Sequence, residues 1–349
     1  MMRRRCPTLA ELPTPPPGKY GWPWTSGSLQ LPDTRANSQL WPRVSVVMPS
    51  YNQAQFIEET IRSVLLQGYP DLEYIIIDGG STDGSVDIIR KYERWLAYWV
   101  SKPDRGQTQA INKGWMKATG DILAYINSDD YYLEGTIATV VEGFRDHART
   151  GMVYGTATII DEAGKEVGVW VARPFDLRIM LAEENIVPQP AAFFSRHALE
   201  SVGYLDERWH MIMDYELCVR VGMRFPAVCM PRTLAKFRIH SGSKTQTRSE
   251  STTRELIHFG ATFFAKHISL QEIRALKRAT LSRIHYERSL TYIMKGRQQA
   301  CKALGPLRES LLLHPLFALG RPLQTAYIVK EVLLSYLTII RDRYGVKSR

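Results

Sequence analysis

Between Val44 and Asp130 short apolar runs take turns with amphipathic stretches, and this alternation restricts the region to a parallel sheet covered by helices. Val44-Ser45-Val46-Val47-Met48 reads as a strand, and Phe56, Ile57, Ile61, Val64 and Leu65 recur behind it at helical spacing. Leu72 to Ile77 form a second strand. Asp83 stands where a helix carrying Val86, Ile88, Ile89 and Tyr92 needs its N-cap. A third helix, Gln107 to Ala118, leads into a buried strand over Ile122 to Ile126. That strand breaks off abruptly in Asn127-Ser128-Asp129-Asp130.

Open α/β sheets bind ligands in the crevice beyond the carboxyl ends of their strands. Carboxylates delivered there suit a hard divalent cation, magnesium or manganese, held by one or two side chains and the phosphates of a substrate. Taken alone, a strand ending in Asp-Asp more often caps the following helix, and Asp129 and Asp130 also read that way. Two further strand ends point the same way, because Pro49-Ser50-Tyr51-Asn52 closes the first strand and Asp78-Gly79-Gly80-Ser81-Thr82-Asp83 the second. A tyrosine ring can stack on a nucleobase, and a carboxylate such as Asp78 can accept the imide N–H of uracil. The Asp-Gly-Gly-Ser segment is also ordinary turn chemistry.

The outer segments differ in character. Residues 1–40 are rich in Pro, Gly and Ser and read as an extended arm, with Trp22, Trp24 and Trp41 fastening it to the domain more plausibly than binding sugar. Residues 241–349 hold 19 Lys and Arg against 7 Asp and Glu, whereas residues 1–240 hold 26 against 28, so the whole net charge of +10 originates in the C-terminal part. That asymmetry suits an anionic partner, and in the absence of a zinc, helix-turn-helix or RNA-binding signature a membrane surface fits better than nucleic acid. In the last segment Ile328, Val329, Val332, Leu333, Tyr336, Leu337 and Ile340 recur at helical spacing, as in a helix packed on its own domain or lying on a membrane. No apolar stretch approaches the ~20 residues that span a bilayer, and the Met1-Met2-Arg3-Arg4-Arg5 start lacks an apolar signal core, so a cytoplasmic protein is expected, peripheral at the inner face of the membrane. The four cysteines (Cys6, Cys218, Cys229, Cys301) show no metal-binding spacing and read as reduced structural thiols.

In combination, the motifs resemble the family 2 inverting glycosyltransferases of GT-A fold. The resemblance runs from about residue 43 to 245, through Val46-Val47-Met48-Pro49-Ser50-Tyr51-Asn52, Ile77-Asp78-Gly79-Gly80-Ser81-Thr82-Asp83-Gly84-Ser85 and Asp104-Arg105-Gly106-Gln107-Thr108-Gln109-Ala110-Ile111-Asn112-Lys113-Gly114. It continues in Asn127-Ser128-Asp129-Asp130, Gln189-Pro190-Ala191, Gly203-Tyr204-Leu205-Asp206, Met213-Asp214-Tyr215-Glu216-Leu217-Cys218-Val219-Arg220 and Arg238-Ile239-His240-Ser241-Gly242-Ser243. The resemblance implies a GT-A domain over 41–245, with a nucleotide half (41–130) and an acceptor half (131–245), then a basic helical extension over 246–349.

It also implies a nucleotide-sugar donor, a UDP-sugar above all, held by Pro49, Tyr51, Asp78, Lys102, Gln107, Asn127 and Ser128. Asp129 falls at the metal-binding carboxylate and His240 at a histidine that completes the metal or diphosphate site. The family's usual first acid is here Asn127, which can bind a ribose hydroxyl but offers no charge to a metal. Asp214 falls at the catalytic base that deprotonates a glycan or lipid-linked acceptor during cell-surface polysaccharide or glycolipid synthesis, and Glu216 competes only if the helix is turned. A silent nucleotide-sugar-binding scaffold is the alternative that Asn127 raises. A nucleotidyltransferase would need a Gly-rich, basic loop after the first strand, which Pro49-Ser50-Tyr51-Asn52 does not supply.

Overall fold

The computed structural model describes residues 5–145, 149–244, 250–267, 271–294, 297–314 and 321–344. It forms two compact units, one comprising Met1–Phe175 with Ile186–Ser243, the other Asp176–Asn185 with Lys244–Arg349.

The first unit is built on a nine-stranded sheet. Strands β1 (Val44–Ser50), β2 (Leu72–Asp78), β3 (Tyr98–Ser101) and β4 (Ile122–Tyr125) run parallel in the order β3-β2-β1-β4. Every residue of β1, β2 and β4 is buried, as expected of parallel strands covered on both faces. Beyond β4 the sheet is mixed, with β5 (Tyr131–Tyr132), β6 (Met152–Ile160), β7 (Glu166–Trp170), β8 (Ala192–Ser195) and β9 (Ala227–Arg238) in the continued order β8-β6-β9-β5, and β7 on β6.

The chain leaves β1 toward β2 and β3 and later returns to its other side as β4, so strand order reverses between β1 and β4. A crevice opens at such a point. Pairing of β1 with β4 ends at Val47 opposite Tyr125, while pairing with β2 runs on to Ser50 opposite Asp78. Pro49, which has no N–H to give, therefore stands where β4 has already turned away.

Helices α1 (Ile57–Leu65), α2 (Ser85–Tyr92), α3 (Gln107–Lys117) and α4 (Thr136–Arg145) connect these strands. On α1 the residues expected to face the core are all buried. Asp83 lies one position outside its expected place: Gly84 is the N-cap residue of α2, and Asp83 accepts from the Ser85 N–H and hydroxyl. On α3, Gly114 is required by close packing, since a Cβ there would lie 2.4 Å from Val47 Cγ1. The helix consequently rests directly on β1.

The N-terminal arm is bound to this unit. Arg62 of α1 is fully buried and donates to the carbonyls of Pro13, Pro23 and Trp24 and to the Tyr92 hydroxyl. Trp22 donates its indole N–H to the Tyr132 carbonyl, and Trp24 is buried beside Glu59. The tryptophans thus anchor the arm.

Helices α6 (Arg196–Val202) and α7 (Met213–Gly222) complete the first unit, whereas α5 (Leu177–Ala182) belongs to the second. There it joins α8 (Glu250–His267), α9 (Gln271–Met294), α10 (Arg297–Ala300), α11 (Leu304–Leu313) and α12 (Pro322–Tyr344). Tyr286, Ile293, Ala303, Leu307, Ile328 and Val332 form the core of this helical unit. Of the expected stripe on α12, Ile328 and Val332 are buried, Val329 and Leu333 are exposed, and the side chains of Tyr336, Leu337 and Ile340 lie outside the described residues. None of the described helices is long and apolar enough to cross a membrane.

Candidate active site

The segments after β1 and β2 are bound to each other before any ligand is considered. Asn52, in the left-handed region at φ 51°, accepts from the Thr82 N–H, and its own N–H donates to the Ser81 hydroxyl. The N–H groups of Gln53 and Ala54 donate to Ser85 and Asp83. Asp78 is completely buried, and its carboxylate accepts from the N–H groups of Gly80 and Ser81 and from the hydroxyls of Ser81 and Ser101. It is the organising anion of this loop.

Tyr51, by contrast, is 63% exposed. Its ring and the Asp104 carboxylate flank Gly79: a Cβ built there would lie 3.3 Å from Tyr51 Cδ2 and 3.2 Å from Asp104 Oδ2. Asp104, which belongs to the Asp104–Gly114 motif but carries no role by sequence alone, thereby joins the group, with its other oxygen accepting the Gly106 N–H. Lys102 is exposed on the same loop, and its N–H donates to the Asp78 carbonyl. Ser50, at the end of β1 beside Pro49, is buried, and among the described residues its hydroxyl has no hydrogen-bond partner.

At the end of β4, Asn127 sits in a net of amides. Its Oδ1 accepts from Gln107 Nε2 at 2.6 Å, and its Nδ2 donates to Asp130 Oδ2 and to Gln189 Oε1, both at 3.1 Å. Ser128 is buried beside it. Asp130 is buried as well, and that burial, followed by the adjacent charge of Asp129, pushes its carboxyl well above the usual carboxylate range. It accepts the Arg238 N–H, tying β4 to the end of β9. The Arg238 guanidinium donates to Glu59 and to the carbonyls of Asp129, Asp161 and Glu162. Its work is structural.

Asp129 remains partly open, and among the described residues its carboxylate meets only His240, with Nε2 and Oδ2 3.0 Å apart. His240 is buried against Phe56, and its Nδ1 accepts the Gly242 N–H. That contact places the ring proton on Nε2, so in the neutral tautomer His240 donates to Asp129. The structure therefore brings the two expected metal-site residues together. No group of three or more His, Cys, Asp and Glu that could hold a metal is found among the described residues.

Asp214 lies in the first turn of α7, near the end of β4. After burial, its charge is the next largest influence raising both the Tyr125 phenol and the Cys218 thiol. Glu216, the competing acid, is committed elsewhere. It pairs with Arg220 at 2.6 and 2.8 Å, and Arg220 caps the carbonyls of Val202, Gly203 and Tyr204.

Three strand ends and the first turn of α7 therefore gather at the carboxyl-terminal edge of the parallel strands. The model of the family described as glycosyl transferase family 2 matches residues 45–203. The uncharacterized glycosyltransferase Rv1514c of Mycobacterium tuberculosis is 32% identical over 198 residues, which cover 55% of this chain and 72% of the relative. The chain belongs to glycosyl transferase family 2. A PGL/p-HBAD biosynthesis glycosyltransferase of Mycobacterium bovis is 29% identical over 185 residues, covering 51% of this chain and 69% of its own.

Solved structures agree in fold. S. aureus TarS 1–349, in complex with UDP-GlcNAc, superposes with a TM-score of 0.59 at 17% identity, over 88% of this chain and 93% of that 1–349 fragment. The mannosyltransferase PcManGT of Pyrobaculum calidifontis, in complex with GDP-Man and Mn2+, gives 0.54 at 21% identity, over 88% of each chain. The family 2 chain is thus a glycosyltransferase with the GT-A type of sheet.

Proposed function

We propose that this family 2 enzyme moves a sugar, with inversion, from a UDP-sugar onto a glycan or lipid-linked acceptor in cell-surface polysaccharide or glycolipid synthesis. The observation that carries the reading is the placement of two carboxylates with separate tasks, Asp129 bound to His240 at the end of β4 and Asp214 at the start of α7. UDP-GlcNAc in TarS, GDP-Man with Mn2+ in PcManGT and the PGL/p-HBAD relative support donor, metal and acceptor class respectively. We assign 41–130 to the nucleotide half, 131–245 to the acceptor half and 246–349 to the basic extension.

In this reading Tyr51 stacks on the base beside Pro49 and Ser50, Asp78 fixes the loop beneath it, and Lys102 and Gln107 face the nucleotide. Asn127 and Ser128 close the ribose side. Asp129, with His240, offers a hard anionic oxygen and a nitrogen that suit Mn2+ or Mg2+ completed by substrate phosphates. His240 would act as a ligand through Nε2 only in the tautomer that carries its ring proton on Nδ1. A bound ion would neutralise charge growing on the departing diphosphate. Asp214 takes the proton of the acceptor hydroxyl as that oxygen bonds to the anomeric carbon and the bond to the diphosphate oxygen breaks on the opposite face.

The test is calorimetric titration of the protein with UDP, GDP, CMP and dTDP, with and without Mn2+. UDP binding strengthened by Mn2+ is expected, and tighter binding of another nucleotide, or indifference to Mn2+, overturns that part of the reading.

The extension is proposed to touch an anionic membrane. Leu323, Tyr327, Val329 and Leu333 of α12 are exposed around Lys330, while Ile328 and Val332 occupy the buried side. Apolar side chains facing outward on a basic segment fit an interfacial helix, with each cation contributing about 1 kcal/mol near acidic lipid. Flotation with phosphatidylserine vesicles, weakened by Leu323→Glu with Leu333→Glu, is the expected result. Equal flotation of this double variant excludes the face.

A further inference from the structure

We infer that Asn112 and Thr108 of α3 are positioning residues for Asp214, holding the segment that leads into α7 at a fixed place relative to the donor side of the crevice. The inference rests on the reading of Asp214 as the base. Asn112 Nδ2 donates to the Leu205 carbonyl at 2.8 Å, and its Oδ1 accepts the Leu205 N–H at 3.1 Å. The side-chain amide thus pairs with one residue's backbone as a neighbouring strand would. One turn earlier, the buried Thr108 hydroxyl lies 3.0 Å from the Trp209 carbonyl, to which it donates, and 2.9 Å from Met213 Sδ, one residue before Asp214.

From the other side Arg220 holds the carbonyls of Val202, Gly203 and Tyr204. The approach to Asp214 is therefore gripped at 202–204 by α7 itself and at 205, 209 and 213 by α3. The helix that does the gripping is itself immobilised, because Gly114 lets it lie directly on β1. Its first residue, Gln107, bonds Asn127 on the donor side. One rigid element thus spaces the base from the end of β4.

A base displaced by about an ångström forfeits on the order of 10²-fold in rate, whereas donor binding does not depend on it. For Asn112→Ala, we expect kcat to fall by about 10- to 10²-fold with donor KM and UDP affinity unchanged. Amide hydrogen exchange across 205–213 should quicken while that of β1, β2 and β4 stays slow. Asn112→Asp, which still accepts the Leu205 N–H, should fall between. Thr108→Val, near in shape but without the hydroxyl, provides the same test if Asn112→Ala does not fold.

Unchanged exchange at 205–213, or a rate loss matched by loss of UDP affinity, overturns the inference. Full activity in Asp214→Asn instead refutes the reading of Asp214, whatever the exchange data show.

Discussion

The two rims of the parallel sheet use the same kinds of residue and put them to opposite ends. At the amino-terminal rim, Glu73 accepts from the Ser45 hydroxyl and from the N–H and hydroxyl of Thr119. Arg43 reaches Asp71 and Thr119, and Arg196 donates to the carbonyls of Ala118 and Gly120. Gly120 itself is packed so closely that a Cβ would lie 2.5 Å from Ser45 Oγ. This rim is closed. At the carboxyl-terminal rim Asp78 is saturated in the same way, but Asp129 meets a single described partner, Tyr51 projects outward and the Ser50 hydroxyl has no described partner. A carboxylate's role is thus set less by its identity or burial than by how many donors the fold has already aimed at it.

The sharpest way to test this contrast is to remove one acid from each rim. Asp214→Asn should lower kcat by about 10²- to 10⁴-fold, the contribution typical of a positioned base, while UDP affinity holds. Glu73→Gln should do the reverse. Exchanging an acceptor for an amide leaves buried donors opposed, at a cost of about 1–3 kcal/mol in urea unfolding, with kcat per folded molecule unchanged. A catalytic defect in the Glu73 variant, or an undiminished kcat in the Asp214 variant, would erase the distinction between the rims.

A smaller effect concerns Asp83, which binds the loop after β1 to the start of α2. Burial alone would raise its carboxyl, but hydrogen bonds from the Ala54 N–H and from the Ser85 hydroxyl and N–H outweigh it and hold the pKa below the usual carboxylate value. A depressed pKa contributes stability that is present above the unfolded value and is lost as pH falls through the folded one. Below about pH 4, melting curves of wild type and Asp83→Asn should therefore converge, and above it wild type should melt higher. Parallel curves across that range would show that Asp83 contributes nothing specific.

Features that depend on near neighbours along the chain are legible in the sequence itself. The apolar run into Asn127-Ser128-Asp129 and the turn after β2 each declare themselves within a few residues, whereas the acid at the head of α7 stands out only through the resemblance to the family. β3 gives no such signal, because Tyr98–Ser101 is only four half-buried residues, too few to show a period of two. The saturation of Asp78 depends on Ser101 across a neighbouring strand, and the amide net at Asn127 depends on Gln189, 62 positions away. Arg62 lies on a helix beside glutamates and reads as a surface residue, yet it is buried. The partnership of Asn112 is equally hidden, since Leu205 is 93 positions distant.

Arg62 also bears on anyone who would trim the chain to its sheet. Much of the first forty residues looks dispensable, an irregular stretch of prolines and glycines ahead of β1. Yet the carbonyls of Pro13, Pro23 and Trp24 are acceptors for a guanidinium with no exposure. Truncation would strip that guanidinium of three backbone acceptors and of the Trp24 ring that covers it, and would open to water the apolar surface on which Cys6 and Leu12 pack. The arm is better regarded as the missing wall of the α1 side, and a shortened gene beginning at β1 should yield inclusion bodies rather than a smaller enzyme.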